Sequence, residues 1–530
     1  MKTVYVIYPV GVDDVEKEKY ANGGLDPEVV LARSIAERFS GAVVCNDEKR
    51  HKYEILVGHT RRSETKRALA GLQYNQYGVF CFGDRIAVCG HCVAATMKAV
   101  GLLLGCDEAV LTDGYSLVET YESWIVDFPQ FEDGKYLGMT DCSYDRVEWV
   151  WNKVTKPAID DYRTRLENDG YDMIFQNTRD GNRFYRFVKG KRFIQLVYLA
   201  ASHSLRVVSG SLEKTKLVEP WAFDASIDAP VTLTQMALDY FGGSFGMCYI
   251  MTLEDGSFVI IDGGHVRVAG GYPKTYDYLR LYMLLCELNK RPDGEIVISA
   301  WLMTHEHSDH FNVFYWFCRF CHDFGRNVTV KRYCDCSCSD AVSFNAKNPD
   351  YFTTCGRLAK AREWIGGFDT VTLHTGDLLR FGGLEFEILY TVDDLFPERL
   401  HYFNDSSFVA RMTYRGQATM WLGDICTAPS QFLRKHWKQK TLQSDIVQLA
   451  HHGLNGAELE LYELIGGKVL LWSLRDKLVK NNNENPTEPH HHLGRHLFYE
   501  MNAQEIILHT RYNDTLSLPY VVGKSHKISK

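Results

Sequence analysis

Residues 304–310 read THEHSDH, directly behind the apolar run IVISAWLM at 296–303. A short apolar run bounded by polar residues predicts a strand buried on both faces. Strand ends in α/β layers deliver side chains into the crevice beyond the sheet, so His305, His307, Asp309 and His310 are expected there. His305 and His307 are two apart and can point the same way. Asp309 and His310 then open the next helix and can face a second point about one metal–metal separation away. Imidazole and carboxylate are borderline donors that suit Zn, Mn or Fe. With 20 histidines in 530 residues, three of them between 305 and 310 beside an aspartate are not explained as an ordinary polar loop.

The neighbouring segments extend the pattern. CYIMTLEDGSFVIIDGGH (248–265) reads as a hairpin that turns at Glu254-Asp255-Gly256 and whose second strand ends in Asp262. A helical segment, TYDYLRLYMLLCELNK (275–290), leads to the strand before the histidines. Downstream, FVARMTYRGQATMWLGDI (408–425) reads as a second hairpin ending in Gly423-Asp424, and DIVQLAHHG (445–453) as a buried strand ending in His451 and His452.

His305-x-His307-x-Asp309-His310, preceded by Asp262, resembles the metal-binding signature of the metallo-β-lactamase superfamily. The resemblance implies an αββα sandwich over 229–530 and a pair of divalent ions, with Zn preferred and Mn the alternative. His305, His307 and Asp424 would serve one ion; Asp309, His310 and Asp424 the other, with either His452 or His451 completing it. Catalytic roles would fall to Asp309, orienting a hydroxide, and to Asp262, holding a ligand histidine by its other nitrogen. The runs HTGDLLRFGGLEFEILY, FNDSS and DIVQLAHHG are most similar, over 230–525, to the soluble C-terminal hydrolase domain of ComEC competence proteins. Such domains commonly carry Asp where His307 stands, and the histidine that many members place before the bridging aspartate is replaced here by the neighbourhood of Asn404 and Asp405. Asn404, His490, His491 and Thr510 are the expected substrate contacts, with His509 beside the last. The implied function is a metal-dependent hydrolase of phosphodiester or related ester bonds. A di-iron redox enzyme on the same fold and a non-catalytic metal-binding module are the alternatives.

The upstream chain divides at about 125 and 228. Short apolar strands alternate with helical patterns over 1–125, which predicts a small α/β domain. Its segments YEILVGHTRRSET (53–65) and GVFCFGDRIAVCGHCVAATMKAVGLLL (78–104) resemble the accessory α/β domain that precedes the catalytic domain of several glycoside hydrolases. Residues 126–228 predict a small α+β domain, opening with one helix over RVEWVWNKVTKPAIDDYRTRLENDGY (146–171) and continuing as strands. Fifteen cysteines with no signal-like N-terminus fit reduced thiols and a cytoplasmic protein. Cys318 and Cys321, and the alternating Cys334, Cys336 and Cys338, read as small core residues. No run is long enough for a membrane span. A net charge of −8 gives no general attraction to nucleic acid, so the expected partner is a small-molecule or polymeric ester. The sequence leaves the oligomeric state open.

Overall fold

The computed structural model describes residues 3–10, 26–39, 41–219, 226–239, 242–339, 349–454, 456–475, 503–509 and 513–522. Strands Val43–Asn46, Tyr5–Tyr8, Glu54–Val57 and Arg85–Gly90 run parallel, and the antiparallel pair Gln76–Phe82 and Ser116–Thr120 completes a six-stranded sheet. Helices Pro27–Arg38, Ser63–Ala70 and Val93–Gly105 pack on it. A second six-stranded sheet is antiparallel throughout, from Lys135–Cys142 at one edge to Asp172–Arg179 at the other.

One element departs from the sequence reading. The stretch 146–171 is not a single helix: Arg146–Asn152 is a strand and the helix is Lys156–Asn168. Val147, Trp149 and Trp151 alternate with Arg146, Glu148 and Val150, and β-branched and aromatic side chains at a two-residue period favour a pleated strand. The helix starts only where Thr155 can cap it, accepting from the Ala158 amide at 3.4 Å, with Pro157 in the first turn. Val6, Val88, Trp149, Tyr162 and Val207 belong to one apolar core, so the two upstream sheets bury their faces together.

The remaining strands form two facing sheets. The eight-stranded sheet carries Phe258–Asp262 and Ile296–Leu302 side by side and parallel, and Asp514–Ser517 closes one edge. The seven-stranded sheet runs from Leu378–Phe381 through Gln417–Trp421, Ile446–Gln448 and Val469–Arg475 to Glu505–His509. Tyr249, Ile261, Leu302, Phe386, Met412 and Trp421 fill the space between them. On the outer face of the first sheet, helices Asp277–Leu288 and Ser308–Asp323 bury Leu281, Phe314 and Phe317 against Ile260 and Trp301. On the outer face of the second, Thr427–His436 and Leu459–Ile465 bury Leu433 and Leu461 against Val447 and Leu470. This is a four-layer αββα sandwich. Cys334 and Cys336 lie in its inner core, Cys318 and Cys321 under its helices. Phe258–Asp262 ends beside Ile296–Leu302, and Gln417–Trp421 beside Ile446–Gln448, which brings four strand ends to one rim.

The antiparallel sheet is fastened to the sandwich by buried guanidinium groups. Arg186 meets Asp377 at 2.5 Å, Arg146 meets Asp393 at 2.8 Å, and Arg206 donates to the carbonyls of Asp393, Asp394 and Phe396. Phe184 stacks on Trp437 with ring centroids 6.0 Å apart. Arg suits such sites because its planar fork satisfies several acceptors at once. No helix among the described residues is long and apolar enough to cross a membrane.

Candidate metal centre

Asp262 ends its strand with φ 56° and is fully buried. Its carboxylate accepts from the Thr304 amide at 2.8 Å, from the Thr304 hydroxyl at 2.9 and 3.0 Å, and from His310 Nδ1 at 2.8 Å. It thus ties the start of the histidine loop to its end and turns His310 Nε2 the other way, toward Asp424 Oδ2 at 3.1 Å. The Thr304 hydroxyl, already donating to Asp262, accepts from His305 Nδ1 at 3.2 Å. His305 Nε2 therefore keeps its lone pair on the side of His307 Nδ1, 2.9 Å away. Between them Glu306 turns to the opposite side, toward Asp335, which takes the Tyr144 hydroxyl at 2.6 Å; burial and Asp335 push the Glu306 carboxyl up to about 8.

His307 is the residue before helix Ser308–Asp323, so Asp309 falls in the first turn, where amide dipoles favour a negative charge. Asp424 follows Gly423, whose φ is 54° and where a Cβ would sit 2.7 Å from Ser407 Cβ; glycine alone fits. The Asp424 amide donates to Ser407 Oγ at 3.0 Å. Gln448 holds this turn from the next strand end: its carbonyl oxygen accepts from the Leu422 and Gly423 amides at 2.8 and 2.7 Å, and its amide donates to the Gly423 carbonyl at 3.0 Å.

His451, His452 and Gly453 all have positive φ, at 51°, 57° and 71°. Trp472 Nε1 donates to the His452 carbonyl at 2.8 Å, and a Cβ on Gly453 would lie 2.2 Å from that nitrogen. The bend sends the two rings apart. His452 Nδ1 meets Ser473 Oγ at 3.2 Å, and its Nε2 faces Asp309 Oδ2 at 3.0 Å and Asp424 Oδ2 at 3.3 Å. His451 Nε2 lies instead 3.1 Å from Asn404 Nδ2.

Donor atoms of Asp309, His310, Asp424 and His452 all lie within 4.8 Å of one another. His305 Nε2 stands 4.0 Å from Asp424 Oδ2, so Asp424 faces both this group and the His305–His307 pair. Asp424 Oδ1 and Asn404 Oδ1 are buried with no hydrogen-bond partner. Against the penalty of burial, the neighbouring histidines hold Asp309 and Asp424 below the usual carboxylate range. Against the same penalty, the carboxylates raise His310 well above its ordinary value and push His452 up to about 9. His305, buried and next to His310 and His307, is driven down, so its ring is neutral and basic toward a cation. Depressed carboxylates, a neutral imidazole and an orphaned buried carboxylate oxygen fit a site for divalent cations.

Asp405 does not join the cluster: it accepts from the Cys426 amide at 2.7 Å and so caps the turn behind Asp424. His490, His491 and Thr510 lie outside the described residues. The sequence reading missed Thr304, Gln448 and Ser473, the residues that aim the cluster. The one available signal was that each is polar at or beside the end of an apolar strand.

No family model matches the chain, and no curated relative does. Among solved structures, the metallo-β-lactamase fold protein YhfI from Bacillus subtilis matches at 11% identity with a TM-score of 0.31, over 54% of this chain and 100% of its own. A diphosphatase of the PhnP family matches at 14% identity and a TM-score of 0.30, over 55% of this chain and 99% of its own. CmlA, a diiron β-hydroxylase from Streptomyces venezuelae, matches at 13% identity and a TM-score of 0.29, over 55% of this chain and 54% of its own. The sandwich is assigned from the sheets and helices described above.

Proposed function

We propose that this chain is a metal-dependent hydrolase with a two-ion centre, acting on phosphodiester or related ester bonds. The observation that carries the reading is the convergence of Asp309, His310, Asp424 and His452 within 4.8 Å, with Asp424 also facing the His305–His307 pair. Asp309, His310, His452 and Asp424 would hold one ion. His305, His307 and Asp424 would hold the second, with the Asn404 carbonyl oxygen nearby. The imidazole-rich set favours Zn, with Mn the alternative. Two such ions, when bound, lower the pKa of a water toward neutrality and supply a hydroxide nucleophile.

The rest is the work of the chain. Asp262, an acceptor only, fixes the tautomer and tilt of His310, and Ser473 holds the tilt of the His452 ring. Asp309 offers carboxylate oxygen to accept a hydrogen bond from the attacking water and orient it. Asn404, with His490, His491 and Thr510, would contact the substrate. The similarity of the motif order to the soluble hydrolase domain of ComEC supports a phosphodiester. Whether the substrate is a small ester or a polymer such as nucleic acid is set by the walls around the centre.

Asp424→Asn tests the reading. It keeps the shape but replaces a charged carboxylate by an amide that binds cations poorly. Wild-type protein purified without chelator should carry about two divalent ions and cleave bis-nitrophenyl phosphate; the variant should lose both ions and the activity together. Full metal content with only a lowered melting temperature would overturn the role of Asp424. Bound iron without hydrolysis would favour a redox enzyme.

A further inference from the structure

A cavity of about 250 Å³ lies where the two upstream sheets meet the sandwich. One wall is the edge strand Lys135–Cys142, another is formed by His59 and His91, just past the ends of strands Glu54–Val57 and Arg85–Gly90, and the third is segment 392–400 of the sandwich. That segment is tied down. Arg206 donates to its carbonyls at Asp394 and Phe396, both at 2.6 Å, and Arg399 pairs with Asp26 at 2.7 Å and Glu28 at 3.1 Å.

Apolar side chains, Leu137, Met139, Val392 and Leu400 among them, supply much of the lining. The polar groups among them are mainly acceptors. Thr140 and Glu148 are cross-strand neighbours and face the cavity together. Glu148 is fully buried; its Oε1 accepts from Arg206 at 2.9 Å, while Oε2 has no hydrogen-bond partner. His59 and His91 spend Nε2 on the carbonyls of Gly90 and Leu72, at 3.0 and 3.1 Å, and burial drives the His91 ring down, toward its neutral form. The guanidinium on the wall, Arg399, is engaged by two carboxylates. Asp141 and Glu398 add further negative charge to the lining.

We propose that this cavity binds a small organic cation, a primary ammonium or guanidinium group on a short apolar body, with its charged head against Glu148 and Thr140. The groups facing Glu148 are Arg206 from strand Ser204–Ser211 and Asp393 and Asp394 from segment 392–400. Burial, reinforced by Asp393 and Asp394 and opposed by Arg206, pushes the Glu148 carboxyl up to about 8. At neutral pH the incoming cation takes the place of that proton, which leaves to solvent. Nothing in this assignment depends on the metal centre.

The test is calorimetric titration of the full chain with phenethylammonium chloride at neutral pH, in two buffers of different ionisation heat. The uncharged 2-phenylethanol is the control. The ammonium should bind one to one with proton release, and the alcohol at least about tenfold more weakly. Leu137→Trp, which fills the space from the edge strand, should abolish binding with the melting temperature retained. Glu148→Gln should weaken it about tenfold or more. Absence of ammonium binding up to about 10 mM, equal binding of ammonium and alcohol, or unchanged binding in both variants would each overturn the proposal. Should Glu148→Gln fail to fold, the alcohol comparison and Leu137→Trp still decide it.

Discussion

Asp262 and His310 meet at 2.8 Å, carboxylate oxygen to Nδ1, and neither side chain is exposed. The contact leaves His310 Nε2 as the group presented to Asp424. Asp262→Asn keeps the shape and removes the charge behind the ring, so metal affinity should fall by about 10–100-fold. Competition against a chelator of known affinity measures this. Unchanged affinity would make Asp262 a holder of the Thr304 loop and nothing more.

His451 and His452 are adjacent in sequence yet point to different partners, Asn404 and Asp309. His452→Ala should therefore remove one ion of the pair, and His451→Ala should leave the metal content unchanged while altering the Michaelis constant for a phosphodiester. The reverse pattern in elemental analysis would exchange their roles.

Gln448→Leu is close in size but leaves the buried amides of Leu422 and Gly423 without an acceptor. With each of the two stranded donors worth about 1–3 kcal/mol, chemical denaturation should report a loss of about 2–6 kcal/mol, and metal affinity should drop as the Asp424 turn loosens. A loss below about 0.5 kcal/mol would mean that water takes over the acceptor role.

Glu148 gives a pH signature. Its carboxyl rises from the ordinary 4.5 to about 8 in the folded chain, so between those values the folded state holds the proton more tightly than the unfolded state does. The stability from the protonated form is complete below 4.5 and is lost as pH climbs toward 8. Gln cannot ionise, so Glu148→Gln should match wild type in melting temperature at low pH and exceed it increasingly as pH rises. Parallel curves across that window would show that Glu148 is ionised throughout.

The histidine motif and its strand could be read from the chain because an apolar run that stops at three imidazoles is a local pattern, complete within fifteen residues, 296–310. Asp424 and the 451–452 pair were found by the same local logic, but the choice between His451 and His452 was not, because it depends on a backbone bend imposed by Trp472 from another strand. Gln448 was invisible for a related reason: its partners are the amides of a turn 25 residues away. The misread helix at 146–171 failed where two periods overlap. Trp149 and Trp151 alternate as in a strand just before Pro157 opens a true helix. The attachment of Arg206 to segment 392–396 joins residues nearly two hundred positions apart, about 187 from Arg206 to Asp393, and no periodicity carries that information.

Arg146, Arg186 and Arg206 have a consequence for how the molecule comes apart. Peeling the antiparallel sheet from the sandwich would break the buried pairs of Arg186 with Asp377 and of Arg206 with Asp394 and part the stacked rings of Phe184 and Trp437 all at once. Such a seam opens only when everything around it opens. The sheet and the sandwich are therefore expected to unfold as one cooperative block: limited proteolysis should find no early cut between them, and the fluorescence of Trp149 in the one and Trp437 in the other should report a single shared transition.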